Sequence, residues 1–217
     1  LHLSSAASDV YKRQLLFSLL TFFAGSISNF ALAPWDYIFV LLFSFPLFFF
    51  VLQDIYNEKK IKNKTLSFIL FGNIFLFGYF LFGLLWISSA FDYREGFAEL
   101  KFISIFGLPF LLCLITTPGW ILTAFLWGKG LHGCFALSAG IITGEFLRSY
   151  LFSGFPWNLF GHSIGFNDFS MQVGSIFGFH LSGFFVILFS LAPILFLKRS
   201  TLKWGIIFSL ILPVCMT

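Results

Sequence analysis

The residues with the greatest chemical potential lie in one stretch, Gly144 to Gly165. Glu145 and Arg148 stand at the end of a long apolar run, three residues apart on one helical face, so they can form an ion pair. Charges beside a membrane span are costly unless they are paired or face a cavity. Two interpretations stay open: a local pair that caps the helix, or a polar lining for a lipid headgroup.

A Gly-Phe-Pro-Trp turn follows and ends at Pro156 and Trp157. The residue before a proline avoids the helical region, so this segment is predicted to be extended or turned. Trp157 is either an interface anchor, because tryptophan is enriched at membrane boundaries, or part of a binding surface. His162 has no second ligand at a metal-binding spacing and is interpreted as a loop residue.

The sequence contains no recognisable catalytic constellation: no nucleophile paired with a base, no cluster of metal ligands and no glycine-rich phosphate loop. Its cysteines, Cys113, Cys134 and Cys215, lie in apolar runs, where a thiolate is disfavoured. They are interpreted as small buried hydrophobic residues. We therefore expect no catalytic residue, no metal and no cofactor within this chain.

The composition is that of a membrane protein. Of 217 residues, 59% are hydrophobic and 10% charged, with a mean hydropathy of +0.94, whereas soluble domains have about 25% charged residues. Several runs reach the roughly 20 apolar residues that a spanning helix needs. Because they are continuous rather than alternating, they predict an all-α, polytopic transmembrane helix bundle. The net charge of +4 is interpreted as a topology signal in short loops, not as nucleic-acid binding.

Residues 1–14 lack an initiator Met, differ in character from the rest, and are interpreted as a non-native leader or an ordinary tail. Residues 15–217 are predicted to form the transmembrane domain. The predicted spans, about seven, are 15–33, 35–53, 66–90, 102–127, 133–150, 171–197 and a run that starts near 204. This last run stops at Thr217, so the chain is predicted to be a fragment.

Two local features are predicted inside the spans. The segment Thr116 to Trp120, with a central proline, predicts a kink or break whose freed carbonyl groups the threonines satisfy. The pairs Gly140/Gly144 and Gly174/Gly178 predict close helix packing. With a cytoplasmic amino terminus, ten of the thirteen Lys and Arg residues lie inside, which satisfies the positive-inside rule and places the loop 151–170 outside.

Three stretches resemble one known family: ALAPWD (31–36), GYFLFGLLWISSAF (78–91) and GEFLRSYLFSGFPWNLFGHS (144–163). They are similar to the membrane half of apolipoprotein N-acyltransferases, in which the pattern E-x-L-R-x-x-x-x-x-G-F-P-W is distinctive. The resemblance covers roughly residues 15–217, with 92–130 matching only in hydropathy. It implies a multi-pass protein of the bacterial inner membrane that completes lipoprotein maturation.

The resemblance also implies a fold and a reaction. The family joins eight membrane helices to a nitrilase-like domain between the seventh and eighth, which is expected after residue 217. There, a Glu-Lys-Cys triad forms a thioester with an acyl chain from a phospholipid, and the amine of a diacylglyceryl-cysteine attacks it. The implied partners are a phospholipid donor, an apolipoprotein acceptor and membrane lipids, without nucleic acid or metal. This fragment alone is expected to be inactive.

By the same match, Glu145, Arg148, Pro156 and Trp157 are predicted to bind substrate by shaping its portal. His162 stands where a tyrosine is expected in many relatives. Two alternatives are a membrane transporter, which would show paired broken helices at matching positions, and a non-catalytic membrane protein.

Overall fold

A computed structural model describes residues 2–59, 61–93, 98–165 and 168–215. Throughout these residues the regular structure is helical, which confirms the all-α prediction. The α-helices are α1 (His2–Ser28), α2 (Leu41–Asn57), α3 (Lys64–Gly83), α4 (Ala98–Phe102), α5 (Leu108–Leu126), α6 (Leu131–Tyr150), α7 (Asp168–Ser190), α8 (Ala192–Phe196) and α9 (Leu202–Cys215). Helix α1 runs without interruption through residues 2–14, the segment interpreted as a leader or tail.

Five helical segments in the described part of the chain are long and apolar enough to cross a membrane. They are Tyr11–Ala31, Ile38–Asn57, Lys64–Gly83, Glu99–Leu126 and Gly174–Phe196. Two of the seven predicted spans are not among these five. They correspond to α6, which carries Glu145 and Arg148, and to α9, which has 14 residues in the structure. The chain is a multi-pass membrane bundle, and seven is an approximate count.

Aromatic rings fill the centre of the bundle. Phe48 of α2 stacks on Phe75 of α3 with ring centroids 4.4 Å apart, and Trp120 of α5 meets the Phe48 ring edge-on at 5.8 Å. All three side chains are buried. A Cβ on Gly72 would overlap the Trp120 indole. The absence of a side chain there thus lets α3 and α5 pack around the ring.

The two predicted glycine pairs behave differently. A Cβ on Gly119 of α5 would overlap the Gly140 carbonyl and lie 3.0 Å from the Gly144 nitrogen, so the prediction of close packing at Gly140/Gly144 is confirmed. The same prediction is wrong at Gly178, whereas the atoms nearest to a Cβ on Gly174 belong to the Phe179 ring of the same helix. Gly178 has φ +74° at a break inside α7, and a Cβ there would have no neighbour within 4 Å. Glycine serves here for its backbone freedom rather than its size.

Helix α5 continues through Pro118 without a break, although a kink or break was predicted there. The hydroxyl groups of Thr116 and Thr117 both donate hydrogen bonds to the Cys113 carbonyl, at 2.9 and 3.1 Å. The missing Pro118 amide frees the carbonyl of Leu114, four residues earlier, whereas both threonines bond to the Cys113 carbonyl. The prediction that these threonines satisfy the freed carbonyl is therefore wrong.

The two ends of the bundle differ in composition. At one end Arg13 of α1 pairs with Asp54 and Glu58, Lys64 donates to the Tyr56 carbonyl, and Gly130 lies beside Thr201. Trp127, directly after α5, packs against Phe49 of α2 and Phe68 of α3, so the loops with most of the basic residues lie at this end. At the opposite end, α3 and α6 finish beside residues 151–165, called the 151–165 loop below.

Candidate functional site

The 151–165 loop turns sharply as it leaves α6. Phe152, Ser153 and Gly154 have φ values of 52°, 77° and 81°. A positive φ is unusual for a residue as bulky as Phe152. The chain then returns towards α6, where the Phe155 amide donates to the Arg148 carbonyl at 2.7 Å. A 3-10 helix, Phe160–Ile164, completes the loop.

Arg148 lies in the last turn of α6, behind the loop, with 1% of its surface exposed. Its Nη1 donates to the carbonyl oxygens of Phe155 and Trp157 at 2.8 and 2.5 Å, and its Nη2 donates to that of Asn158 at 2.8 Å. The guanidinium also lies over the Phe80 ring, 5.1 Å from its centroid. These charge-assisted hydrogen bonds attach the extended part of the loop to the end of α6.

Glu145 lies one turn earlier on α6 and is also buried. Its Oε1 accepts a hydrogen bond from the Phe160 amide at 2.8 Å and is 3.8 Å from the Arg148 Nη2. Its Oε2 has no hydrogen-bond partner among the described residues. The ion pair that the i,i+3 spacing suggested is therefore present, but the closest contacts of both side chains are with the loop backbone.

Pro156 and Trp157 lie on the outer face of the loop. Both are exposed, Trp157 to 52%. The Trp157 ring lies 5.5 Å from that of Trp86, with an angle of 47° between the planes. The four predicted site residues thus form two layers: Glu145 and Arg148 lie behind the loop, and Pro156 and Trp157 face outward.

Three neighbours of this site were not assigned to it from the sequence. Tyr79 donates from its hydroxyl to the Asn158 carbonyl at 3.1 Å, and its ring stacks on that of Phe160, 4.6 Å away. The Asn158 Nδ2 donates to the Gly83 carbonyl at 3.0 Å. Trp86 is the ring partner of Trp157. The short motifs around Gly83 and Asn158 gave no signal that they meet, because about 75 residues separate them.

His162 has a structural place in the loop. Its Nδ1 accepts a hydrogen bond from the Leu159 amide at 3.3 Å, and its ring packs edge-on against Phe179. Burial, and secondarily the nearby Arg148 and His180, lowers the pKa of His162. Among the described residues, no group of three or more His, Cys, Asp or Glu side chains is arranged to hold a metal ion.

Ser149 and His180 are close enough to suggest a nucleophile and base, with Oγ and Nε2 3.1 Å apart. However, the Ser149 hydroxyl donates to the Glu145 carbonyl at 2.7 Å. The direction of the hydrogen bond between Ser149 and His180 depends on the tautomer of the ring, so this contact alone does not assign His180 the role of a general base. Cys113 and Cys134 are buried and free. The arrangement of the loop can position an exposed aromatic surface.

Comparison with known proteins identifies a family. A family model described as the apolipoprotein N-acyltransferase N-terminal domain matches residues 24–192, which include the loop. Three similar proteins are each named apolipoprotein N-acyltransferase. The one from Sinorhizobium fredii is 32% identical over 158 residues, 71% of this chain and 30% of the relative.

The protein from Allorhizobium ampelinum is 30% identical over 193 residues, 87% of this chain and 36% of the relative. That from Rhizobium etli is 30% identical over 199 residues, 90% of this chain and 37% of the relative. The chain therefore spans about a third of the length of the relatives it matches. With the family model covering most of its helices, the chain belongs to the apolipoprotein N-acyltransferase family, as the amino-terminal membrane part.

Proposed function

We propose that this chain is the membrane part of a phospholipid-dependent acyltransferase, which N-acylates the amino-terminal diacylglyceryl-cysteine of apolipoproteins in the last step of lipoprotein maturation. The name shared by its relatives supports this reaction. The observation that carries the proposal is the two-layered loop, in which buried Glu145 and Arg148 hold the exposed Pro156 and Trp157.

The outer layer is the proposed portal for substrate. A phospholipid donor and a lipid-modified peptide both present acyl chains beside polar groups. Tryptophan suits such ligands because its ring is apolar while its indole N–H is a hydrogen-bond donor. In this proposal Pro156 and Trp157 contact substrate, whereas Glu145 and Arg148 act through the loop backbone that they hold.

The chemical step is proposed to occur outside this chain, in a nitrilase-like domain following residue 217. A cysteine thiolate there attacks the phospholipid ester, forms a thioester and releases the lysophospholipid. The acceptor amine then attacks the thioester, forms the amide, loses a proton and frees the cysteine, in two-step covalent catalysis. Neither metal nor cofactor has a part in this proposal.

The proposed location is the bacterial inner membrane, with a cytoplasmic amino terminus and the loop 151–170 outside. The collection of the basic loops at the end opposite the 151–165 loop supports this orientation, because cytoplasmic loops carry an excess of Lys and Arg.

The transporter alternative gains less support. Secondary transporters that are built from structural repeats have paired broken helices at matching positions in the two repeats. In the described part of this chain α7 is interrupted at Gly178, while α5 passes through Pro118 unbroken.

The proposed reaction is tested with the complete purified protein and the 217-residue chain in parallel. Each is mixed in detergent with phospholipid and a diacylated lipopeptide, and the product is analysed by mass spectrometry. We expect the complete protein to add one acyl chain to the peptide amine and the 217-residue chain to add none. A complete protein that leaves the amine free would contradict the proposal. Acylation by the 217-residue chain would contradict the placement of the nucleophile.

A further inference from the structure

Asn158 joins the 151–165 loop to α3 through both its backbone and its side chain. Its carbonyl accepts hydrogen bonds from Arg148 at 2.8 Å and Tyr79 at 3.1 Å, and its Nδ2 donates to the Gly83 carbonyl at 3.0 Å. The carbonyl groups in the last turn of a helix lack partners within that helix. Asn158 thus supplies a partner for the final residue of α3.

The local geometry is fitted to this contact. Asn158 has φ +51°, a conformation that asparagine adopts more readily than most residues. A Cβ on Gly83 would overlap the Nδ2 of Asn158 and the Oδ1 of Asn29. Asn29 meanwhile donates to the Tyr79 carbonyl at 2.7 Å. Two asparagines therefore close around the last turn of α3, where a larger residue than glycine would displace them.

The two segments that Asn158 joins each lead to an exposed tryptophan. Trp157 directly precedes Asn158, and Trp86 follows Gly83 by three residues, in the 3-10 helix Leu85–Tyr93. Their ring centroids lie 5.5 Å apart. The hydrogen bond between Asn158 and Gly83 lies behind this pair and connects the backbones that carry both rings.

We propose that Asn158 is a positioning residue, which sets the spacing of Trp86 and Trp157 by holding the 151–165 loop against Gly83. Its consequence for acyl transfer rests on the proposed function, in which this surface admits substrate. Asn158 itself takes no part in the chemistry. Loss of its side chain should weaken capture of substrate more than it slows turnover, because the contact is remote from the reacting atoms.

Two substitutions separate the side chain from the backbone. Asn158→Gly keeps a positive φ accessible but removes the side-chain amide. Asn158→Asp keeps the size of the side chain but removes the Nδ2 donor. Gly83→Ala provides a third route, because its added methyl group displaces the Asn158 side chain. Asn73→Ala is the matched control: Asn73 joins α3 to α5 through a hydrogen bond to Thr117 at 3.3 Å, outside the loop.

The experiment measures the Trp pair and the kinetics of the complete protein separately. Near-ultraviolet circular dichroism reports the coupled rings, and the Trp86→Phe variant identifies their contribution to the spectrum. We expect this contribution to disappear in Asn158→Gly, Asn158→Asp and Gly83→Ala and to persist in Asn73→Ala. For the Asn158 variants, KM for phospholipid should rise about fivefold, as for one lost hydrogen bond, with kcat within about twofold of the original.

Persistence of the tryptophan signal in folded Asn158→Gly and Asn158→Asp would overturn the positioning role, as would its equal loss in Asn73→Ala. If those Asn158 variants do not fold, a retained signal in Gly83→Ala overturns it in the same way. If the Asn158 variants lose the tryptophan signal but keep kcat/KM unchanged, the positioning role is supported. The same result would contradict the proposal that this surface admits substrate.

Discussion

The two ends of the bundle each contain an arginine beside carboxylates, but the environments differ. Arg13 has 47% of its side chain exposed, and its partners Asp54 and Glu58 are exposed to 42% and 29%. The side chains of Arg148 and Glu145 are exposed to only 1% and 5%. Exposed ion pairs contribute little because water screens them, whereas an unpaired buried charge is costly.

The difference also concerns what each arginine holds. Arg13 links α1 to the end of α2 through side-chain carboxylates. Arg148 donates instead to three backbone carbonyl groups of the 151–165 loop. The first arrangement connects two helices that already pack, while the second determines the path of a loop with little regular structure. We therefore expect substitutions at the two ends to have very different effects.

The largest effect is expected for Arg148→Ala. The substitution leaves three carbonyl groups and the Glu145 carboxylate without their guanidinium partner, so the free energy of unfolding should fall by about 3–5 kcal/mol. Arg148→Lys should recover only part of this loss, because an ammonium group cannot reproduce the planar fork of donors. Unfolding of the purified chain in mixed detergent measures both. A loss under about 1 kcal/mol for Arg148→Ala would contradict the role of Arg148 in holding the loop, since a loss of that size is typical of an exposed ion pair.

The smallest effect is expected for Arg13→Ala at the opposite end. Its ion pairs are accessible to solvent, so the free energy of unfolding should fall by less than about 1 kcal/mol and the difference should shrink as salt is added. The same unfolding assay at low and high ionic strength measures this. A loss as large as that for Arg148→Ala, unaffected by salt, would show that the comparison between the two ends is mistaken.

The predictable part of this fold follows from its continuous apolar runs. They predict membrane helices because lipid offers the backbone no hydrogen-bond partner, and the five candidate spans agree with that prediction. The function of each glycine was harder to predict. The spacing of four residues accompanies close helix packing at Gly140/Gly144, but at Gly174/Gly178 it includes a backbone break at Gly178. Spacing alone does not reveal which atoms of a neighbouring helix lie against a glycine.

The site was predictable only where its contacts are local. The spacing of Glu145 and Arg148 suggested an ion pair, which the structure contains. The carbonyl partners of Arg148 depend on the return of the loop towards α6, and the contact between Asn158 and Gly83 depends on the same loop meeting the end of α3. Such long-range contacts leave no periodic pattern in one sequence. The substrate role of Glu145, Arg148, Pro156 and Trp157 stays a prediction.

In the proposed function, the exposed layer of the loop serves acyl transfer while the buried layer holds it in place. Trp157→Ala in the complete protein tests this most directly, with Trp35→Ala as control. Trp35 lies outside the loop and is exposed to 55%, against 52% for Trp157. The measurement is kcat/KM for transfer from phospholipid to a diacylated lipopeptide, together with the free energy of unfolding.

We expect Trp157→Ala to lower kcat/KM about tenfold, which corresponds to about 1.4 kcal/mol of lost transition-state stabilisation. Its free energy of unfolding should change by less than about 1 kcal/mol, because the ring is half exposed. Trp35→Ala should leave kcat/KM within about twofold of the original. Unchanged kcat/KM in a folded Trp157→Ala protein would contradict the account.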